Sequence, residues 1–211
     1  LGLRLYLSYT EHTNGIPQNS SMQANVIYTS QTDVIEQQVK AARQLADFVV
    51  VGVHWGVENS HTVVDAQRAL AQSLADWGAD LIIGTHPHVL QNAQWLTAAD
   101  GRQVFTAYSL GNFISTQEKP DQLVGAILSA QLEKTTEPDG TVRCSVLSPR
   151  LLPTVTHYDA GKSNVRTYLF RDYTEALTKA HGVRQAYPDF SLEMIQSIAR
   201  ENIDPEFLQL T

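Results

Sequence analysis

"FVVVGVHW" (residues 48–55) and "ADLIIG" (residues 79–84) are two almost uninterrupted apolar runs, and "VVDAQRALAQSLADWG" lies between them with helical spacing. A run of this kind is buried on both faces, as in a strand of a parallel sheet covered by helices. The pattern predicts a strand–helix–strand unit over residues 47–84. Its right-handed crossover places both strands parallel in one sheet. In the helix, Ala66, Ala69, Leu70, Ser73, Leu74 and Trp77 share a stripe, and Gly78 suits the C-terminal stop. The class is therefore α/β. His54 closes the first strand and His86 follows the second, so both belong at the carboxyl edge, where open α/β sheets place their ligands. Neighbouring strands lie about 4.8 Å apart, close enough for two imidazoles to meet at one centre.

Upstream, "LRLYLSY" reads as a strand, followed by the loop "TEHTNGIPQNSS" with Gly15 and Pro17 as punctuation. "SQTDVIEQQVKAARQLA" reads as a helix. Ser30 and Asp33 resemble a capping box at its start, and Ile35, Val39, Ala42 and Ala46 share one face. Downstream, "VLQNAQWL", "RQVFTAYSLGNFI", "LVGAILSAQLEK" and "RCSVLSPRLLPTVT" read as strands joined by turns at "AADG" and "EPDG", an antiparallel texture. "VRTYLFRDYTEALTKAHG" and "SLEMIQSIAREN" read as helices, broken at "YPDF". The expected division is a body over residues 1–160 and a helical extension over 161–211 packed on it.

Fifteen basic and 22 acidic residues give a net charge of −7, which argues against nucleic acid as partner. The chain contains no apolar run of membrane-spanning length. Cys144 is the only cysteine, which excludes an internal disulfide and a thiolate metal site. The chain opens at Leu1, already in strand pattern, so an upstream segment is expected to be missing.

The chemistry lies in "GTHPHV" (residues 84–89). A residue before proline is pushed toward extended backbone, and residues i and i+2 of extended chain face one side. His86 and His88 are thus expected to point into one pocket, each able to serve one metal of a close pair about 3.5–4 Å apart. His54 adds a third imidazole. Gly56 permits close backbone approach behind it. Glu58 can be a ligand, an orienting group or a general base. Asn112, in "SLGN", either bonds its own turn or orients a ligand histidine. Trp55 is read as packing, and His12, His61, His157 and His181 as surface residues. Asp65 and Asp80 fall off the site, so the ligand list for two metals is incomplete.

"LSYTEHTNGIP", "VGVHWGVE", "ADLIIGTHPHVLQ" and "YSLGNFIS", in this order and spacing, resemble the CapA family of bacterial poly-γ-glutamate capsule-synthesis proteins, related to calcineurin-like metallophosphatases. The resemblance covers residues 1–118. It implies a metallophosphatase-like α-β-β-α sandwich, of which this chain is the C-terminal half. By it, His54, His86 and His88 are metal ligands; in the enzyme reading Glu58 is expected to be the catalytic, proton-transfer residue or an orienting one. Thr85 departs from the histidine usual after the glycine. The resemblance implies two divalent metal ions (Mn, Fe or Zn) in the full-length protein. An N-terminal half of the same protein, with a Gly-Asp and an Asn-His motif, would supply the remaining ligands. It also implies an anionic polymer or phosphoester substrate and a place in the cell envelope or outside the cell, anchored upstream. Two functions follow as expectations: a metal-dependent hydrolase, or a non-catalytic envelope protein assisting polymer export or anchoring.

Overall fold

Val49, Val51 and Val53 point to one side of β2 (Phe48–His54) and Val50 to the other, and all four are buried. A strand with both faces covered needs an apolar layer on each side, and the molecule has two. The computed structural model describes residues 2–13, 15, 26–140 and 142–211 as a mixed α/β fold. The first layer packs α1 (Thr32–Leu45) and α2 (Asp65–Trp77) on a five-stranded sheet through Ile35, Val39, Val49, Val51, Ala71 and Leu74. The second joins that sheet's other face to a three-stranded sheet and to a C-terminal helix.

The five-stranded sheet has the order β1-β2-β3-β5-β4, with β1 (Arg4–Thr10), β3 (Leu81–Thr85), β4 (Leu90–Thr97) and β5 (Gln103–Leu110). β1, β2, β3 and β5 run parallel, as expected for β2 and β3, and β4 is antiparallel to β5. The register aligns Thr10 with His54 and His54 with Thr85. The loops leaving β1, β2 and β3 therefore emerge side by side. Lateral bonds tie these tips together, with Glu11 N–H donating to His54 O at 2.7 Å and Trp55 N–H to Thr85 O at 3.1 Å.

The second sheet is antiparallel: β6 (Val124–Thr136), β7 (Val142–Asp159) and β8 (Ser163–Leu169). Ser148 and Pro149 of β7 stand opposite one residue of β6, a bulge that accommodates a proline unable to donate to the ladder. β8 corrects the sequence reading, which made residues 165–169 helical. The period-two, β-branched pattern "SNVRTYL" wins there, and the helix that follows is only α3 (Glu175–Ala180). α4 (Leu192–Asn202) places Ile195 and Ala199 in the shared core with Ile203 and Phe207. The C-terminal stretch thus contributes side chains to the shared core.

Three local readings also change. Gln31, not Ser30, precedes α1, and no side chain caps that helix. The buried face of α2 is Gln67, Ala71, Leu74 and Ala75, rotated from the expected stripe because Gln67 is a buried polar anchor. Its side-chain oxygen accepts from Val64 N–H at 3.1 Å, and its Nε2 donates to Gln91 Oε1 at 2.9 Å. Gln91 Nε2 in turn donates to Ser60 O and Thr62 O, pinning the loop after β2 to β4. Asp65 opens α2 rather than lying inside it. Pro17 lies outside the described residues.

Candidate metal centre

Three imidazoles meet at the carboxyl edge of the parallel strands. One ligand atom from each of His12, His54 and His86 falls within 4.8 Å of the others. The ring centroids are 4.5 Å apart for His54–His86, 4.5 Å for His12–His86 and 5.3 Å for His12–His54. His54 ends β2, His86 follows β3, and His12 follows β1, so aligned register delivers all three. This corrects the reading of His12 as a surface residue. The signal that would have found it is the rule applied to His54 and His86, extended to the loop after the first strand.

His88 stands to one side, its ring centroid 6.1 Å from that of His86. Its Nδ1 lies 2.8 Å from Asn112 Oδ1, and its Nε2 lies 3.7 Å from Glu58 Oε1. Asn112 cannot turn its amide round, because two backbone carbonyls that can only accept, Gln122 O at 3.0 Å and His88 O at 3.2 Å, face its Nδ2. Oδ1 must accept, so His88 Nδ1 carries a proton, and Nε2 is the ring nitrogen turned toward Glu58. Glu58 is exposed.

The backbone at "HPH" is not extended as expected. His86 has φ +102° and His88 φ +62°. The chain leaves β3 at Thr85 and must enter β4 by Leu90, and Asn59 N–H holds Pro87 O at 2.7 Å in that turn. Positive φ at a non-glycine residue costs about 1–3 kcal/mol and concentrates at functional sites. The turn still delivers the His86 ring to the centre and leaves His88 beside it.

Burial first, and then the charges that His86, His12 and His88 would carry, push the His54 imidazole below its ordinary pKa. His86 is lowered in the same way, by burial and then by His12 and His88. Glu11 opposes both shifts. Its carboxylate accepts from Gly56 N–H at 2.9 Å, which fixes the loop after β1 to the loop after β2. Gly56 has φ +91°, and a Cβ there would strike the Gln67 amide at 2.8 Å.

The other sequence candidates separate cleanly. Trp55 is buried, stacks on Tyr108 and donates Nε1–H to Tyr108 O at 2.9 Å, a packing role. His61 Nδ1 lies 2.7 Å from Leu90 O, and Nε2 lies 3.7 Å from Asp121. His157 and His181 are buried, which corrects their reading as surface residues. Asp80 is buried at the opposite edge of the sheet, bound to Arg43 and Arg102. A cavity of about 900 Å³ opens at that same far edge. Its Arg43 and Arg102 are engaged by Asp80 and backbone carbonyls, so it does not compete with the histidines for the chemistry.

Residues 4–117 match the family model described as "Bacterial capsule synthesis protein PGA_cap". The chain belongs to the PGA_cap family. The chain is similar to the PGA biosynthesis protein CapA of Bacillus subtilis, 39% identical over 108 residues, which are 51% of this chain and 26% of that protein. It is also similar to the capsule biosynthesis protein CapA of Bacillus anthracis, 42% identical over 89 residues, 40% of this chain and 20% of that protein. The chain thus aligns with about a quarter or less of the length of these curated relatives. His12, His54, Glu58, His86, His88 and Asn112 all fall inside the PGA_cap segment. All of the second sheet and all of α4 lie beyond it. Among the described residues, no helix is long and apolar enough to cross a membrane.

Proposed function

We propose that this chain carries part of a capsule polymer biosynthesis protein with a divalent-metal-dependent, hydrolase-like site, acting on a phosphoester or on the amide links of poly-γ-glutamate. The observation that carries the reading is the convergence of imidazoles beside Glu58 at one sheet edge. Family membership and the two CapA relatives support the capsule context and, with it, a place in the cell envelope. The helix layer, the five-stranded sheet and the second sheet fit three layers of a metallophosphatase-like α-β-β-α sandwich. Residues outside this chain would complete that sandwich and the ligand set.

The residues fit a divalent ion. Imidazole nitrogens are good ligands, and those of His12, His54 and His86 are near closing distance. His88, oriented by Asn112, and Glu58 face one another and fit a second ion of a pair. A bound divalent metal supplies Lewis-acid stabilisation of charge on the scissile group. Glu58, exposed and beside His88, is placed to take a proton from an attacking water or return one to a leaving group. A second reading is a non-catalytic envelope protein that helps export or anchor the polymer. It is favoured by the tight histidine group containing no carboxylate to bridge two metals.

The test is metal content by elemental mass spectrometry, with hydrolysis of phosphodiester and γ-glutamyl substrates by the complete protein in Mn, Fe or Zn. Metal-dependent turnover that Glu58→Gln abolishes supports the hydrolase. Absence of turnover with every metal overturns it. Full polymer production by a His86→Ala strain supports the scaffold reading.

A further inference from the structure

Three non-glycine residues with positive φ meet beside Glu58: Asn59 at +60°, His86 at +102° and His88 at +62°. Backbone of this kind persists only where its surroundings hold it. Asparagine tolerates the left-handed region, but the two histidines adopt it at a cost, with the stiff Pro87 between them. The turn therefore needs to be held from outside, and the bonds that hold it converge on Gln122.

Gln122 lies in the single turn Pro120–Leu123 before β6 and is buried. A backbone N–H can only donate, so Lys119 N–H, 3.2 Å from Gln122 Oε1, fixes which way the amide faces. Nε2 must then donate to Asn59 Oδ1, 2.6 Å away. Asn59 N–H in turn donates at 2.7 Å to Pro87 O, the carbonyl between the two histidines. The main chain of Gln122 makes a second tie. Its carbonyl accepts from Asn112 Nδ2–H at 3.0 Å, and Asn112 Oδ1 accepts from His88 Nδ1–H at 2.8 Å. One residue thus holds Pro87 through Asn59 and the His88 ring through Asn112. The far nitrogen of that ring lies 3.7 Å from Glu58 Oε1, so the same ties set the spacing of His88 and Glu58. The loop between Asn112 and Gln122 is itself fastened: Thr167 Oγ1–H, on β8, donates to Phe113 O, and Tyr158 O–H, on β7, donates to Gln117 O at 3.4 Å.

We infer that Gln122 is a positioning residue of the site: it holds the His86–Pro87–His88 turn and, with it, the distance between His88 and Glu58. The inference rests on the reading that sets Glu58 to work beside His88. It goes beyond that reading by placing control of the pair outside the PGA_cap segment, which ends at residue 117. The Pro120–Leu123 turn leads directly into β6, so the geometry of the site belongs to the junction of the two sheets. Loss of the Gln122 amide leaves Asn59 Oδ1 without its donor and the turn with the Asn112 tie alone.

The test is nitrogen-15 histidine spectra of the metal-free chain at one pH, with denaturant midpoints, for Gln122→Met, Asn59→Gly, Asn59→Asp and the double variant of the first two. Gln122→Met keeps the bulk and removes the amide. Exchange of the His88 Nδ1 proton with water should rise about 2–10-fold, the usual worth of one hydrogen bond, and its signal should broaden. A residue that only stabilised the fold would lower the midpoint and leave the His88 spectrum of the folded chain as it was. Asn59→Gly keeps the N–H on Pro87 and the freedom for positive φ but lacks Oδ1, so it should loosen His88 in the same way. Asn59→Asp keeps an acceptor and should retain the parent spectrum. The double variant should add nothing to either single one, because both remove the same bond. An unchanged His88 signal in Gln122→Met overturns the inference, whatever the midpoint does. Should Gln122→Met fail to fold, Asn59→Gly, at an exposed position, decides between the same outcomes. Metal-dependent turnover by the complete protein alongside an unmoved His88 signal would sink this inference and leave the hydrolase reading standing. A loosened His88 in a protein without turnover would do the reverse.

Discussion

At Gly84 an added Cβ would lie 1.9 Å from Tyr108 O and 2.4 Å from Trp55 Nε1, the two ends of a buried hydrogen bond. Neither neighbour is a flexible side-chain tip, so β3 could accept a methyl group only by separating from β5 or expelling the indole. Ordinary overpacking costs about 1–3 kcal/mol. Here backbone is struck, so Gly84→Ala should exceed that range and leave the chain largely unfolded or aggregated on expression, as circular dichroism and a denaturant midpoint would show. A native-like midpoint would mean that the sheet edge is more plastic than its contacts imply. The same glycine explains why one part of the site is legible in the sequence. "GTHPHV" needs a glycine packed against β5 before a turn that brings His86 into the centre and sets His88 beside it. His54 and His86 follow from strand ends, whereas His88 rests on an extended backbone that the positive φ values replace, and Asn112 on its turn. His12 does not stand out, because a lone histidine in a polar loop carries no periodic signal. Only the register Thr10–His54–Thr85 shows that its loop opens on the same edge.

Elements are positioned from the opposite edge of the sheet. Asp80, just before β3, accepts from Val49 N–H at 2.8 Å and from Arg43 at 2.7 Å, and it pairs with Arg102 at 3.4 Å. Burial pushes its carboxyl pKa up, against the pull of the Val49 bond and the two arginines. Arg43 also reaches Ala46 O and Asp47 O, so this one carboxylate joins the end of α1 to the start of β2 and β3. Asp80→Ala would leave Val49 N–H and two guanidiniums without their partner. The expected loss is about 3 kcal/mol, the low end for a broken buried pair because both arginines remain partly exposed. Urea unfolding of Asp80→Ala against Asp80→Asn checks it. The amide keeps an acceptor for Val49, so equal losses in the two variants would assign the effect to charge alone. The strand–helix–strand unit that Asp80 anchors was plain from "FVVVGVHW" and "ADLIIG", since apolar runs of that length have few other homes. The buried face of α2 was not, because Gln67 is polar and only its partners Val64 and Gln91, distant in part along the chain, show why it faces inward. β8 is hard to read for a related reason: its period-two pattern is short and runs into a helical stretch, so the pairing with β7 decides it.

At the scale of the whole molecule, the C-terminal third is joined to the second sheet around two buried histidines. His181, between α3 and the single turn Gly182–Gln185, bonds Thr156 O through Nε2 at 2.9 Å, and its Nδ1 accepts from Val183 N–H at 3.0 Å. Both nitrogens are thereby used in the neutral form. Tyr158, Phe190 and His157 pack around the ring at 4.6, 5.0 and 4.8 Å. Burial, and then His157, lower its pKa to about 4, against the pull of Thr156 O and Asp159. His157 is lowered too, by burial, although Asp159 draws it upward. A histidine whose folded pKa is depressed binds fewer protons folded than unfolded between about 4 and 6.5. Its contribution to stability is therefore complete above about pH 6.5 and is lost as pH falls toward 4. A shift of about 2.5 units corresponds to about 3 kcal/mol across that window. A protonated Nδ1 would also oppose Val183 N–H, so the Gly182–Gln185 turn should open first and release α3 and the following helix from the core. Denaturant midpoints measured from pH 7 to pH 4.5 on the parent chain and on His181→Asn provide the comparison. The variant should start lower at pH 7 and fall less steeply, because ordinary carboxylate effects are common to both and cancel in the difference. Parallel curves would place the acid sensitivity of this fold elsewhere than in the joint that His181 closes.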